Sequence, residues 1–408
     1  MIDGTLLEKM AMTDFLTRRL ALFLVSALTF SASAAEAPGD ASIEPADPVT
    51  LAFADHDPGS GLTIAYAEWT DFLRKTTMDL GSSPARLSRG EALGWTGTRV
   101  TYGNTASTRL EGNRVTVDLF TEAHIDFVRQ YRAGLESLPR RQGLATLNRN
   151  EQLAYWLNLY NVRVMELVVA RTPLLDTARP LRSSPGESGE DEWSQKTLDV
   201  AGLAISLRDI ETKILFPLWD DPLVLYGLWQ GAIGGPSLRV EAYDGDRVWS
   251  QLRANAREFI NSNRGTLPRG DTLRLSLMYD WGSALFDGEA ALRQHLRDFI
   301  REPFSQGFDD ASRIVYDLYD WHIADLSGGA RNRGDWRNMA GLTTLDRNRE
   351  LVNQSSRFSA ATLELLREID TLKGRGDRKP VVRIVDLDCD DEGEECPGPS
   401  RRDGDEPD

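Results

Sequence analysis

The segment from Asn148 to Ala170 constrains this chain more than any other. Its apolar residues recur most of the way round a helix rather than along one stripe, and Arg171-Thr172-Pro173 closes it. A helix that is apolar on nearly every side has to be wrapped by the rest of its protein. The chain has the material for this, with 408 residues and 41% hydrophobic content, enough for one large or two ordinary domains. Asn158 and Asn161 interrupt the apolar run three residues apart, hence on one face. They either hold a ligand or hydrogen-bond buried backbone, for which the loop Gly231 to Pro236 is the candidate. An unpaired buried amide costs about 1–3 kcal/mol, so the structural role is the expectation.

Around this helix the pattern is mixed. Helical spacing runs over Tyr66–Thr77, Ala123–Leu138, Ser206–Leu218, Asp246–Ser262, Glu289–Ile300 and Ser359–Leu372. Strands are expected at Val115–Leu119, Leu223–Trp229, Thr272–Leu277, Arg313–Tyr319 and Val381–Val385, with a hairpin around Gly202. Ser206 with Asp209 three residues later has the form of a helix N-terminus. This irregular order predicts an α+β fold, a mixture of helices with a small, mainly antiparallel sheet.

The ends differ in kind from the middle. Arg18-Arg19, an apolar run from Leu20 to Phe30 and Ala32-Ser33-Ala34 have the layout of a secretory signal over residues 1–34. The run is too short to span a bilayer, and no later segment is apolar for long enough, so no membrane span is expected after signal removal. Residues 35–60 read as a linker, 61–330 as the main domain, 331–380 as a helical extension and 381–408 as an acidic tail. That tail carries −9 of the net −16 from Asp386 onward. No basic stripe exists, which disfavours nucleic acid as a partner. The only cysteines, Cys389 and Cys396, lie in the tail and are a disulfide candidate in an oxidising compartment. Thiol chemistry in the body is therefore excluded by composition. No zinc motif occurs among the four histidines, and Asp388–Gly393 starts like a calcium loop but reaches Pro399 where a Glu is needed. No metal and no cofactor are expected.

Four segments in order carry a resemblance: Glu151–Asn161, Leu207–Glu211, Asp221–Leu238 and Tyr319-Asp320-Trp321. Together they resemble domain-of-unknown-function family 547 over roughly Tyr66 to Leu326. The family pattern in the third segment, D-P-R-x-H-F-A-L-N-C-G-A-x-S-C-P-P-L, carries a His and two Cys. Here those positions hold Leu225, Gln230 and Gly235, with Trp229 at the Asn beside the first Cys. The resemblance implies a thiol-hydrolase-like scaffold, comparable with papain- or transglutaminase-like folds, that has lost its reactive groups. An amide and an isobutyl group do not replace a thiolate and its activating imidazole.

The expectation is therefore a non-catalytic binding or assembly protein of the bacterial cell envelope, periplasmic or secreted. Its partner would be a peptide, an envelope protein or a small molecule. Tyr155, Asn158, Asn161, Tyr226, Trp229, Gln230 and Trp321 are the candidate pocket residues. The opposing expectation is a hydrolase working through Glu211, Asp320 or His322. A third makes the family His and Cys structural from the outset, through packing or a disulfide.

Overall fold

Asn148 begins the central helix by accepting hydrogen bonds from the amides of Asn150 and Glu151, both at 3.0 Å. The computed structural model describes residues 47–85, 107–171, 181–182 and 191–326, all within one compact unit. The signal segment, the helical extension, Val381–Val385 and the tail with Cys389 and Cys396 lie outside the described residues.

In chain order the helices are α1 (Pro48–Ala52), α2 (Ala67–Thr76), α3 (Glu122–Arg141) and α4 (Arg149–Arg171). There follow α5 (residues 207–219), α6 (Val248–Ile260), α7 (Leu277–Trp281) and α8 (Gly288–Phe299). The strands are β1 (Thr77–Met78), β2 (Arg114–Val115), β3 (Leu198–Val200), β4 (Leu203–Ile205), β5 (Thr266–Arg269), β6 (Thr272–Ser276) and β7 (Arg313–Leu318). Helices and small sheets alternate irregularly, an α+β fold.

Every residue of α4 from Glu151 to Val169 is buried except the half-buried Arg163 and Glu166. Helices α3, α5 and α6 pack against it. The wrapped helix read from the sequence is thus the centre of the molecule. Helix α5 is an α turn (Leu207–Asp209), a π segment (Ile210–Leu215) and a second α turn (Phe216–Trp219). Ser206 and Asp209 form a capping box, with Oγ accepting from the Asp209 amide and Oδ2 from the Ser206 amide, both at 3.0 Å. Pro217 has no N–H to give to the helix ladder, which accounts for the wider register before it.

Three expectations need correction. Leu223–Trp229 is no strand, because Pro222–Gly227 is a 3-10 helix. Pro222 fixes a helical φ and the Asp221 carboxylate accepts from the Leu223 amide at 2.8 Å, bending the chain into a turn. Val115–Leu119 is strand only at its first residue and then a 3-10 turn, Val117–Leu119. Residues 35–60 are not linker throughout, since α1 is capped by Asp47 and Phe53 packs edge-on to Trp156 at 4.8 Å.

Of the four strand pairings among the described residues, β1–β2, β3–β4 and β5–β6 are antiparallel and β6–β7 is parallel. The parallel pair needs a long crossover, supplied by α7 and α8. This carries the chain back so that the residues after β7 arrive beside β2 and the loop after the 3-10 turn.

Candidate functional site

The loop following Gly227 is pinned at its start by α4. Asn161 donates from Nδ2 to the Gly227 carbonyl (3.0 Å) and accepts at Oδ1 from the Trp229 amide (3.1 Å). Further on, the loop is stitched to the segment after β7. Gly234 N donates to Asp320 O at 2.8 Å, Ile233 N to His322 O at 2.9 Å, and Ala324 N to Gly231 O at 2.9 Å. On its other side the same segment pairs with β2, Val115 N donating to Ala324 O at 2.8 Å. The approach at Gly234 leaves no room for a side chain, because a Cβ there would lie 2.3 Å from the Asp320 amide nitrogen.

Gln230 sits inside this seam, 3% exposed, and its Oε1 accepts the Tyr319 hydroxyl. Gly235 faces it. A Cβ at Gly235 would stand 3.4 Å from Gln230 Cβ and 3.4 Å from the Tyr319 hydroxyl. That is close to the roughly 3.5–4.5 Å between the Cβ atoms of a disulfide. Gln230→Cys with Gly235→Cys, in a background where Cys389 and Cys396 are Ser, is expected to oxidise to a disulfide with no free thiol. Such a short loop should add about 2 kcal/mol to stability against the reduced form. Two titratable thiols persisting in an oxidising glutathione buffer would show that the positions are not in bonding register. Leu225, the third altered position, is 2% exposed and packed on Gly282, where a Cβ would meet Leu225 Cδ2 at 2.4 Å.

Glu211 belongs to a different, dry cluster. Its Oε1 accepts from Tyr160 Oη (2.6 Å), Arg182 Nη1 (2.8 Å) and Trp193 Nε1 (3.1 Å). The Arg182 guanidinium lies 4.0 Å over the Trp281 ring. Both charges are almost wholly buried and satisfied by neighbours, the arrangement of a structural ion pair.

Beside Gln230 the surface opens into a recess of about 390 Å³ between residues 107–108, 263–264 and 317–322. His322 Nδ1 and Asp320 Oδ1 are 2.7 Å apart there, the imidazole 42% exposed and the carboxylate 4%. The hydrogen bond to Asp320 raises the His322 pKa above 6.5, against the opposing effect of burial. Beneath the recess lie two buried guanidiniums. Arg264 is held by Glu258 Oε2 (2.7 Å), Ser237 Oγ (3.0 Å) and the Gly235 carbonyl (3.2 Å). Arg114 donates to the Gly112 carbonyl at 3.0 Å, and burial pulls its pKa down to about 10 despite nearby Asp320 and Asp325.

Residues 144–260 match the family described as Protein of unknown function, DUF547. This segment is a member of that family. No curated protein and no solved structure matches the chain. The DUF547 segment runs from just before α4 to the end of α6, so it contains Asn161, Glu211 and the Gln230 loop. Arg264 and the whole 317–322 wall of the recess fall outside it.

Within the DUF547 segment most of the candidate pocket residues are interior. Tyr155 donates to Leu135 O at 3.0 Å, and the Tyr226 hydroxyl lies 2.9 Å from His295 Nε2. Asn158 donates to Tyr243 O (2.8 Å) and accepts from Tyr243 N (2.9 Å). Trp229 is 1% exposed. Both asparagines thus bond backbone, but at residues 227, 229 and 243 rather than in the loop Gly231 to Pro236. The structure brings Gln230, Asp320, Trp321 and His322 to one place and leaves Glu211 out of the recess wall. Asn263 and Arg264 were not found from the sequence, where they resemble an ordinary turn after a helix. Among the described residues no group of three or more His, Cys, Asp or Glu is placed to hold a metal ion. None of the described helices is long and apolar enough to cross a membrane.

Proposed function

We propose that this protein is a non-catalytic binding or assembly protein of the bacterial cell envelope, exported by its first 34 residues. Its scaffold is that of a thiol hydrolase whose nucleophile position has been closed. The observation that carries this reading is Gln230, buried at 3% with its amide oxygen occupied by Tyr319. Nothing at that position can attack a substrate, while the adjoining recess remains open to a peptide, a small molecule or part of an envelope protein.

The Asp320–His322 pair favours one second reading, a hydrolase in which this imidazole is the general base. The two are separated by hydrolysis of p-nitrophenyl acetate, with His322→Ala as the control. A binding protein shows at most the slow, non-saturating reaction of an exposed imidazole, whereas saturable His322-dependent turnover would replace the binding reading with the hydrolase.

The pair also has a defined pH signature. Because the folded His322 pKa is raised above 6.5, its contribution to stability is complete below pH 6.5 and is lost as pH rises through the folded value. An NMR titration of the His322 ring should show a midpoint above 6.5, returning toward 6.5 in Asp320→Asn. An unmoved midpoint would mean that the pair does not exist in solution. The imidazole is substantially exposed, so His322→Ala is expected to change stability by less than about 1 kcal/mol.

A further inference from the structure

The chemistry of the recess wall narrows what it can hold. Arg264, Asp317, Asp320 and His322 reach the wall, and each is already paired with a group of complementary acid–base character. Arg264 meets Glu258 at 2.7 Å, Asp317 meets Arg274 at 2.9 Å, and Asp320 and His322 meet each other at 2.7 Å. A ligand with net charge would find every counter-ion taken and would lose hydration on entering without gaining a partner. The wall therefore selects against ions and favours a neutral molecule.

A second observation concerns shape and surface. Trp321 and Tyr319 are half-buried at the recess, their ring centroids 4.4 Å apart, and Trp281 backs them at 6.1 and 5.1 Å. The rings are too close to one another to cage a cation between them, and the Trp281 face already carries Arg182. Tyr319 and Trp281, tilted 55° and 58° to the Trp321 ring, brace that ring at the recess. Around it stand groups that donate and accept hydrogen bonds, among them Ser107, Thr108 and Asn263.

An apolar flat face beside dense, charge-balanced hydrogen bonding matches one ligand class. A pyranose ring presents C–H groups on its faces, which lie on the negative face of an aromatic ring, and hydroxyls on its edge. We propose that the recess binds a neutral saccharide, stacked on Trp321 with its hydroxyls on the polar wall. The volume of about 390 Å³ lies within the range of small-molecule sites, roughly 300–1,000 Å³. This proposal rests on the binding reading given above and names its ligand.

Calorimetric titration of the full chain with cellobiose, lactose and N,N′-diacetylchitobiose tests it, with N-acetyl-trialanine amide as a neutral peptide probe. At least one disaccharide should bind saturably. Trp321→Ala should weaken it about tenfold, ~1.4 kcal/mol, and Trp321→Tyr, which keeps a stacking face, should retain most of it. Raising NaCl from about 0.05 to about 0.5 M should leave the affinity unchanged, because no net charge is recognised. Arg247→Ala, on the far cavity beside α2, serves as the unaffected control. Trp321-dependent binding of the peptide with no disaccharide bound would overturn the saccharide and keep the binding reading. No binding of any probe would overturn the saccharide proposal. Saccharide binding that both Trp321 variants leave untouched would place the ligand elsewhere and overturn the site.

Discussion

Glu211→Ala is expected to destabilise the protein by roughly 3–5 kcal/mol, the usual cost of removing one partner of a buried ion pair. The carboxylate oxygen Oε1 serves Tyr160, Arg182 and Trp193 together. Its loss leaves the Arg182 charge in a site that water does not reach, since that side chain is 5% exposed. Replacing both partners by hydrophobes, Glu211→Leu with Arg182→Met, should recover much of the loss, because the uncompensated charge goes with them. Urea denaturation midpoints measure both. A loss under about 1 kcal/mol for the single variant would contradict the structural role. If that variant stayed folded and lost a hydrolytic activity, Glu211 would regain its place among catalytic candidates.

Asn161→Ala carries the second large effect. One carboxamide satisfies both the Gly227 carbonyl and the Trp229 amide, and all three groups are buried. Each orphaned backbone group costs roughly 1–3 kcal/mol, so a loss on the order of 3 kcal/mol or more is expected. The damage should also be local in a recognisable way. Hydrogen exchange at residues 227–235 should accelerate more than in α8, because the loop is pinned through Asn161 and α8 is not. Uniform acceleration across both would mean that Asn161 supports the whole core rather than this loop.

The central helix was legible because burial on every side leaves a run of apolar residues that no surface helix tolerates. The hairpin was legible too, since Gly202 at φ +87° supplies the turn that the flanking alternation demands. Leu223–Trp229 was misread for a related reason. A buried strand and a buried 3-10 turn give the same apolar run, and only the Asp221-Pro222 start distinguishes them. The recess was legible only in part. Asp320, Trp321 and His322 stood out as neighbours in a resembling segment, but their meeting with Gln230 depends on backbone pairing across nearly ninety residues. Arg264 was illegible altogether. In Ser262-Asn263-Arg264-Gly265 it has the look of a solvent-facing turn residue, yet it is 1% exposed because Glu258 and the Gly235 carbonyl hold its guanidinium inside.

The seam between the Gln230 loop and the segment after β7 sets the order in which this molecule can be completed. Whether folding follows synthesis or export, the loop precedes Asp320, His322 and Ala324 by some ninety residues and must wait for them to pair with it. Until then the amides of Ile233 and Gly234 and the carbonyl of Gly231 have only water or a chaperone to turn to. Non-local pairing of this kind is slow to form and leaves the intermediate open to aggregation. A chain cut at the end of the family segment, residue 260, would stay permanently in that state. The recess is therefore a late product of folding, formed only when the segment from Asp320 to Ala324 pairs with the loop.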